Sequence, residues 1–166
     1  MLRSAESSGY PHIAILGIGS NIEPATNIKA AKDLLIKEQI FMGGSKFQTT
    51  APIGFVHQAD FLNGAFMVAT ELDIEKFRIY LRLLESRLGR VRAENKDGPR
   101  TIDLDLVVWN GEIVDFEFYR REFLRKAVLE LVPDLLHPRS KQLHIHREKR
   151  RVPGHPMKYA EVRWRA

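Results

Sequence analysis

Residues 102–106 read Ile-Asp-Leu-Asp-Leu, a strict alternation of aliphatic and acidic side chains. Successive side chains of a strand point to opposite faces. The segment therefore buries Ile102, Leu104 and Leu106 and shows Asp103 and Asp105 on the other side. The apolar character continues to Trp109, which predicts a strand over residues 102–109. Asn110-Gly111 follows, a dipeptide favoured in two-residue hairpin turns, so a return strand is expected over residues 112–116. A half-buried strand of this kind needs a sheet beside it and a layer over its apolar face.

The rest of the chain supplies both. Residues 12–18 (HIAILGI) form a β-branched apolar run, a buried strand that Gly19-Ser20-Asn21 should break. Over residues 24–37, Ile28, Ala31, Leu34 and Leu35 recur at helical spacing, Pro24 suits the first turn, and Gly43-Gly44 closes the segment. Ser20-Asn21 reads as a turn and helix-entry cap. Residues 45–50 alternate weakly as a strand, and residues 50–58, with Pro52 and Gly54, read as a loop. Residues 61–72 form another apolar strand, with Gly64 at a bulge or close approach. Asp73 can cap a helix carrying Phe77, Tyr80, Leu81, Leu84 and Leu88, with Gly89 at its end. Residues 90–101 read as an exposed loop, and residues 123–132 as a last helix. The order is strand, helix, strand, strand, helix, strand, with a hairpin and helix appended. It matches an α+β, ferredoxin-like antiparallel sheet with helices on one face. One domain over residues 1–166 is expected, with a polar leader at 1–10 and a basic tail at 140–166 as peripheral parts.

Composition narrows the function. The chain has no cysteine, so disulfides and thiolate metal sites are excluded. No apolar run approaches the ~20 residues of a membrane helix, and residues 1–12 lack the apolar stretch of a signal peptide. A cytoplasmic monomer with no membrane partner is expected. The net charge of +5 favours anionic partners such as nucleotides and polyphosphates. His144 and His146 have no further histidine at metal-ligand spacing and read as solvated tail.

Asp103 and Asp105 project side by side, and two close carboxylates call for a cation between them. Magnesium, which takes carboxylates together with phosphate oxygens and water, is one answer. Taken alone, the pair fits an ordinary alternating strand edge better than a metal site. Arg90, Arg92, Lys96 and Arg100 flank it, and arginine's planar fork suits phosphate oxygens. Together they read as a polyphosphate site. No GxxxxGK[ST] loop, kinase glycine loop or HRD motif is present, so P-loop and protein-kinase chemistry are excluded.

Five patches in order then resemble one family. They are Leu16-Gly17-Ile18-Gly19-Ser20-Asn21, Thr50-Ala51-Pro52-Ile53-Gly54, Phe61-Leu62-Asn63, Glu85 with Leu88-Gly89-Arg90-Val91-Arg92, and Gly98-Pro99-Arg100-Thr101-Ile102-Asp103-Leu104-Asp105-Leu106. Together they resemble the 6-hydroxymethyl-7,8-dihydropterin pyrophosphokinases of folate biosynthesis. The resemblance implies transfer of the β,γ-pyrophosphoryl group of ATP to the pterin hydroxymethyl group, giving AMP. It implies two magnesium ions on Asp103 and Asp105, with Arg90 and Arg100 stabilising the transferring phosphates. Glu85, Arg92, Lys96 and Arg121 would bind ATP. Asn63, Thr50, Pro52, Ile53, Phe61 and Phe123 would bind the pterin, with Phe123 as a second stacking ring.

Three departures accompany the resemblance. Asp97 stands where the family often has an aromatic lid residue. The segment between Glu112 and Arg121 is short and lacks the family's Pro-His pair. The C-terminal tail is unusually basic. A same-fold enzyme for a modified pterin and a non-catalytic pterin- or nucleotide-binding module are the alternative readings. An RNA-binding domain is disfavoured, because no KGFGFV-type aromatic run occurs.

Overall fold

The computed structural model describes residues 11–92 and 97–136. The leader, the basic tail with His144 and His146, and Lys96 lie outside the described residues. Ten elements follow in order: β1 (His12–Ser20), α1 (Pro24–Glu38), β2 (Ile40–Gly44), β3 (Gln48–Thr50), β4 (Phe61–Thr70), α2 (Ile74–Arg87), β5 (Asp103–Trp109), β6 (Glu112–Ile113), α3 (Glu117–Arg120) and α4 (Glu122–Leu131). The sheet order is β2-β4-β1-β5-β6, with β3 also paired to β4, and every pairing is antiparallel. This is the ferredoxin-like arrangement.

β1 is apolar throughout because both of its faces are covered. Ala14, Leu16 and Ile18 meet Ile28, Ala31 and Leu35 of α1 and Phe77, Leu81 and Leu84 of α2. Ile13 and Ile15 instead join Ala65, Met67 and Ala69 of β4 and Leu124, Ala127 and Val128 of α4 in a second core. α1 and α2 share one face, as expected of the ferredoxin-like unit, and the appended α4 covers the other. Helical periodicity marks α4 as amphipathic but does not say which face of a sheet it covers.

Other boundaries also shift. β1 runs through Gly19 to Ser20 instead of breaking there. Residues 40–44 form an edge strand, which the Gly43-Gly44 pair concealed. A Cβ on Gly44 would sit 3.1 Å from the Phe66 ring, so the second glycine serves close packing within a paired strand. Gly64 allows the Phe47 ring a similar approach, without a bulge. The turn at Asn110 (φ 49°) and Gly111 (φ 84°) is left-handed at both positions, as an Asn-Gly hairpin requires. The return strand covers only Glu112–Ile113, because Asp115 Oδ1 accepts from Glu117 N at 2.9 Å and opens α3. Asp73 caps α2 by accepting from Lys76 N at 2.9 Å, and Gly89 (φ 77°) ends it.

Candidate active site

α4 covers only part of its face of the sheet. Its first turn stops against Gly17, where an added Cβ would lie 2.9 Å from Leu124 Cδ1. Beyond that point Gly17 and Gly19 of β1 pair with Asp105 and Asp103 of β5, and Gly19 pairs with Asn63 of β4 on its other side. The two glycines place no side chains on the floor, and a cleft of about 410 Å³ opens above them. Asp103, Asp105, Asn63, Arg90, Arg92 and Arg100 line it, with Asp115, Glu117, Arg121 and Phe123 opposite.

The first wall is an ion-pair network built on a buried acid. Glu85, on α2, is 3% exposed. Its carboxylate accepts from Arg90 Nη1 (2.5 Å), Arg92 Nη2 (3.0 Å) and the Leu104 amide (2.8 Å). Burial pushes the Glu85 carboxyl up, while the Leu104 amide and Arg90 oppose the shift. Arg90 Nη1 also bonds Asp103 Oδ1, and Arg100 Nη1 bonds Asp103 Oδ2 at 2.6 Å. Burial works against the Arg90 charge, but Asp103 and Glu85 outweigh it and raise its pKa. The loop of residues 90–101 therefore turns two arginines inward instead of lying wholly in solvent. Glu85 stands beneath the cleft and reaches it through Arg90 and Arg92.

Among the described residues Asp105 has no such partner. Its side chain is open to the cleft, yet the surrounding protein strips it of water on its other sides. Desolvation, followed by the charges of Asp103, Asp115 and Glu85, pushes its carboxyl up to about 7. Among the described residues, no group of three or more acidic or histidine side chains is arranged to hold a metal. A hard divalent cation held by Asp103 and Asp105 would need ligand oxygens to complete its shell. Two carboxylates beside open space suit magnesium shared with a polyphosphate.

Two loops close the far end. Asn21 Nδ2 donates to Gln58 Oε1 (2.9 Å) and Ala59 O (3.0 Å), and its Oδ1 accepts from Arg100 N (2.9 Å). Gln58 Nε2 in turn donates to Asp97 O at 2.6 Å. Asn21 thus ties the loops together and is not a helix cap; α1 begins at Pro24, and Glu23 at the cap position gives no side-chain hydrogen bond. Ser20 Oγ donates to Thr101 O at 2.5 Å. Asp97 packs against Gly54, where a Cβ would meet its carboxylate at 2.6 Å.

Asn63 Nδ2 donates to Thr50 Oγ1 at 2.6 Å, and the Arg100 guanidinium lies 5.4 Å over the Phe61 ring. Phe123 lines the main cleft and a second one of about 330 Å³, shared with Thr50, Ile53, Arg120 and Lys126. Pro52 is half-buried and lines neither. Arg121 lines both clefts, with its Nε on Glu117 Oε2 at 2.5 Å. Motif reasoning passed over Asp115, Glu117 and the bare floor at Gly17 and Gly19. Asp115 fell at the end of the expected return strand and Glu117 in no predicted element, and only sheet register shows that the glycines lie beside the carboxylates.

A family model described as 7,8-dihydro-6-hydroxymethylpterin-pyrophosphokinase matches residues 15–133. The folic acid synthesis protein fol1 of Pneumocystis carinii is 33% identical over 146 residues, 81% of this chain and 19% of that protein. The chain therefore spans about a fifth of that relative's length. A 2-amino-4-hydroxy-6-hydroxymethyldihydropteridine pyrophosphokinase of Haemophilus influenzae is 29% identical over 76% of this chain and 86% of its own length. Its Bacillus subtilis namesake is 35% identical over 72% of this chain and 78% of its own.

Proposed function

The chain belongs to the 7,8-dihydro-6-hydroxymethylpterin-pyrophosphokinase family, and from that premise we propose that it transfers pyrophosphate from ATP to 6-hydroxymethyl-7,8-dihydropterin. The pterin hydroxymethyl oxygen bonds to the β-phosphorus of ATP, and its hydroxyl proton is released to solvent. The bond from the β-phosphorus to the α-side bridging oxygen breaks, and AMP leaves. The product is the pterin pyrophosphate of folate biosynthesis.

The observation that carries this reading is the pairing of Asp103 with Arg90 and Arg100, beside the open carboxylate of Asp105, above a glycine floor. Asp103 and Asp105 would hold two magnesium ions, which when bound neutralise phosphate charge and orient its oxygens. Arg90 and Arg100 hold the negative charge of the transferring group, already oriented by Glu85 and Asp103 before ATP enters. Such preorganised charge is what phosphoryl-type transfer needs from a protein. Arg92, Lys96 and Arg121 bind the nucleotide's phosphates. At the other end of the cleft Asn63, held by Thr50, reads the amide-like edge of the pterin. Phe123 supplies an aromatic face from the cleft's lining, Phe61 would meet the ring from beneath Arg100, and the loop with Pro52 and Ile53 would border it from the adjoining cleft that Ile53 lines. Glu85, buried under three hydrogen bonds, acts on ATP by orienting Arg90 and Arg92.

We place the protein in the cytoplasm as a monomer working on small molecules. No helix among the described residues is long and apolar enough to cross a membrane. The test is to mix protein, ATP, magnesium and hydroxymethyl-dihydropterin and identify the nucleotide product. AMP in step with pterin consumption is expected. ADP, or no magnesium-dependent product, would contradict the proposal.

A further inference from the structure

The charges on the wall formed by α3 and α4 are arranged unlike those of the arginine wall. Glu117 is fixed at the start of α3, because Asp115 Oδ1 accepts from its amide at 2.9 Å. The Arg121 amide donates to Glu117 O at 2.8 Å and closes α3, and the extended backbone of Arg121 (φ −105°, ψ 106°) makes an elbow before α4. Across that elbow Arg121 Nε donates to Glu117 Oε2 at 2.5 Å. Both residues line the main cleft together with Asp103 and Asp105. Arg120 reaches the same carboxylate at 3.4 Å but lines only the second cleft.

We propose that Glu117 masks Arg121 and thereby sets how tightly the cleft holds polyphosphate. The inference rests on the reading of the cleft as a nucleotide site and names a determinant of its affinity. Arg121 is the one arginine lining the cleft from the α3–α4 side among the described residues. Its charge is spent on a carboxylate that also faces any bound phosphate. The pair is half-exposed, 42% for Arg121 and 36% for Glu117. Such pairs are weak, and a phosphate offers the guanidinium a charge-assisted fork in exchange. The exchange strands the Glu117 carboxylate beside the incoming anion, at a Coulombic cost. Glu117 thus weakens polyphosphate binding by holding Arg121 back, and its effect runs through that one pairing.

The test uses inorganic tripolyphosphate without magnesium or pterin, and reads its dissociation constant by calorimetry at low salt. Glu117→Gln keeps the shape and removes the charge; it should bind about fivefold tighter than the wild type. Adding Arg121→Gln should cancel the gain, whereas adding Arg120→Gln should preserve it. The gain should shrink at high salt, as screening of a half-exposed charge demands. Equal or weaker binding by Glu117→Gln, a gain that survives Arg121→Gln, or no detectable binding by either protein overturns the proposal. Thermal unfolding of each variant separates loss of fold from loss of binding. Turnover with ATP and pterin is measured separately. Its absence with the tripolyphosphate gain intact would sink the proposed reaction and leave the masking role standing. Turnover without the gain would do the reverse.

Discussion

The two walls of the cleft carry similar charges under opposite conditions. On the β5 side, Arg90 and Arg100 are 13% and 17% exposed and converge on Asp103, with Glu85 buried behind them. On the α3–α4 side, Glu117, Arg120 and Arg121 pair in the open. Buried charges cannot be left alone without a large cost, so each member of the first wall holds the others in place. Exposed pairs exchange partners with water at little cost. The first wall is therefore oriented before any ligand arrives, while the second is free to rearrange around one.

The largest break in that contrast is expected at the floor between the walls. Asp105→Ala should cut magnesium-dependent AMP formation by about a thousandfold or more with the fold retained, as loss of a metal-holding carboxylate implies. Turnover within about tenfold of wild type would remove Asp105 from the site. Arg100→Ala should lower kcat by about a hundredfold while changing the ATP dissociation constant much less. The opposite split would make Arg100 an anchor for ATP alone. Glu85→Ala strands Arg90 and the Leu104 amide; it should cost about 3 kcal/mol in denaturant unfolding. A loss under about 1 kcal/mol would show that the first wall does not depend on its buried acid.

Asp105 makes a pH test that the second wall does not. Its carboxyl is raised from the ordinary aspartate range to about 7, so in the metal-free protein it holds a proton up to near that pH. A raised carboxyl contributes stability at low pH that is lost as pH rises through about 7. Metal-free Asp105→Asn should therefore gain a few degrees in Tm over wild type at pH 8, and less at pH 5. Magnesium competes for the same deprotonated form, so its apparent affinity should rise between pH 6 and 8. A flat profile would mean that Asp105 is charged throughout. The smallest effect is expected far from the cleft. Glu38→Ala removes a surface pairing with Arg87 and Tyr80 and should lower Tm by only about 1–2 °C. A larger drop would erase the distinction between buried and exposed pairs.

Much of the fold could be read from residue periodicity. The alternation of residues 102–106 placed Asp103 and Asp105 on one face, and β5 carries both there, beside Gly19 and Gly17. Asp73, Gly89 and Asn110-Gly111 marked ends and turns through their own backbone chemistry, and those signals are local. β2 was hidden because glycines that permit close packing look the same in sequence as glycines that break a strand. The face covered by α4 was hidden because an amphipathic pattern names a buried stripe and not its partner. The site divides in the same way. Motif spacing pointed to the residues of the first wall, whereas the hold of Asn21 on two loops and of Glu117 on Arg121 arises from contacts that only folding creates. Glu85 shows the limit most clearly: its position in a motif suggested contact with ATP, and its burial instead sets it behind the arginines that would make that contact.

The central claim is that this cleft moves two phosphates together. Phosphorus NMR of a reaction containing protein, ATP, magnesium and hydroxymethyl-dihydropterin tests it directly. The account predicts AMP and a pterin bearing a coupled pair of phosphorus signals, formed one for one. A single phosphorus on the pterin with ADP released, or ATP left intact, would contradict it.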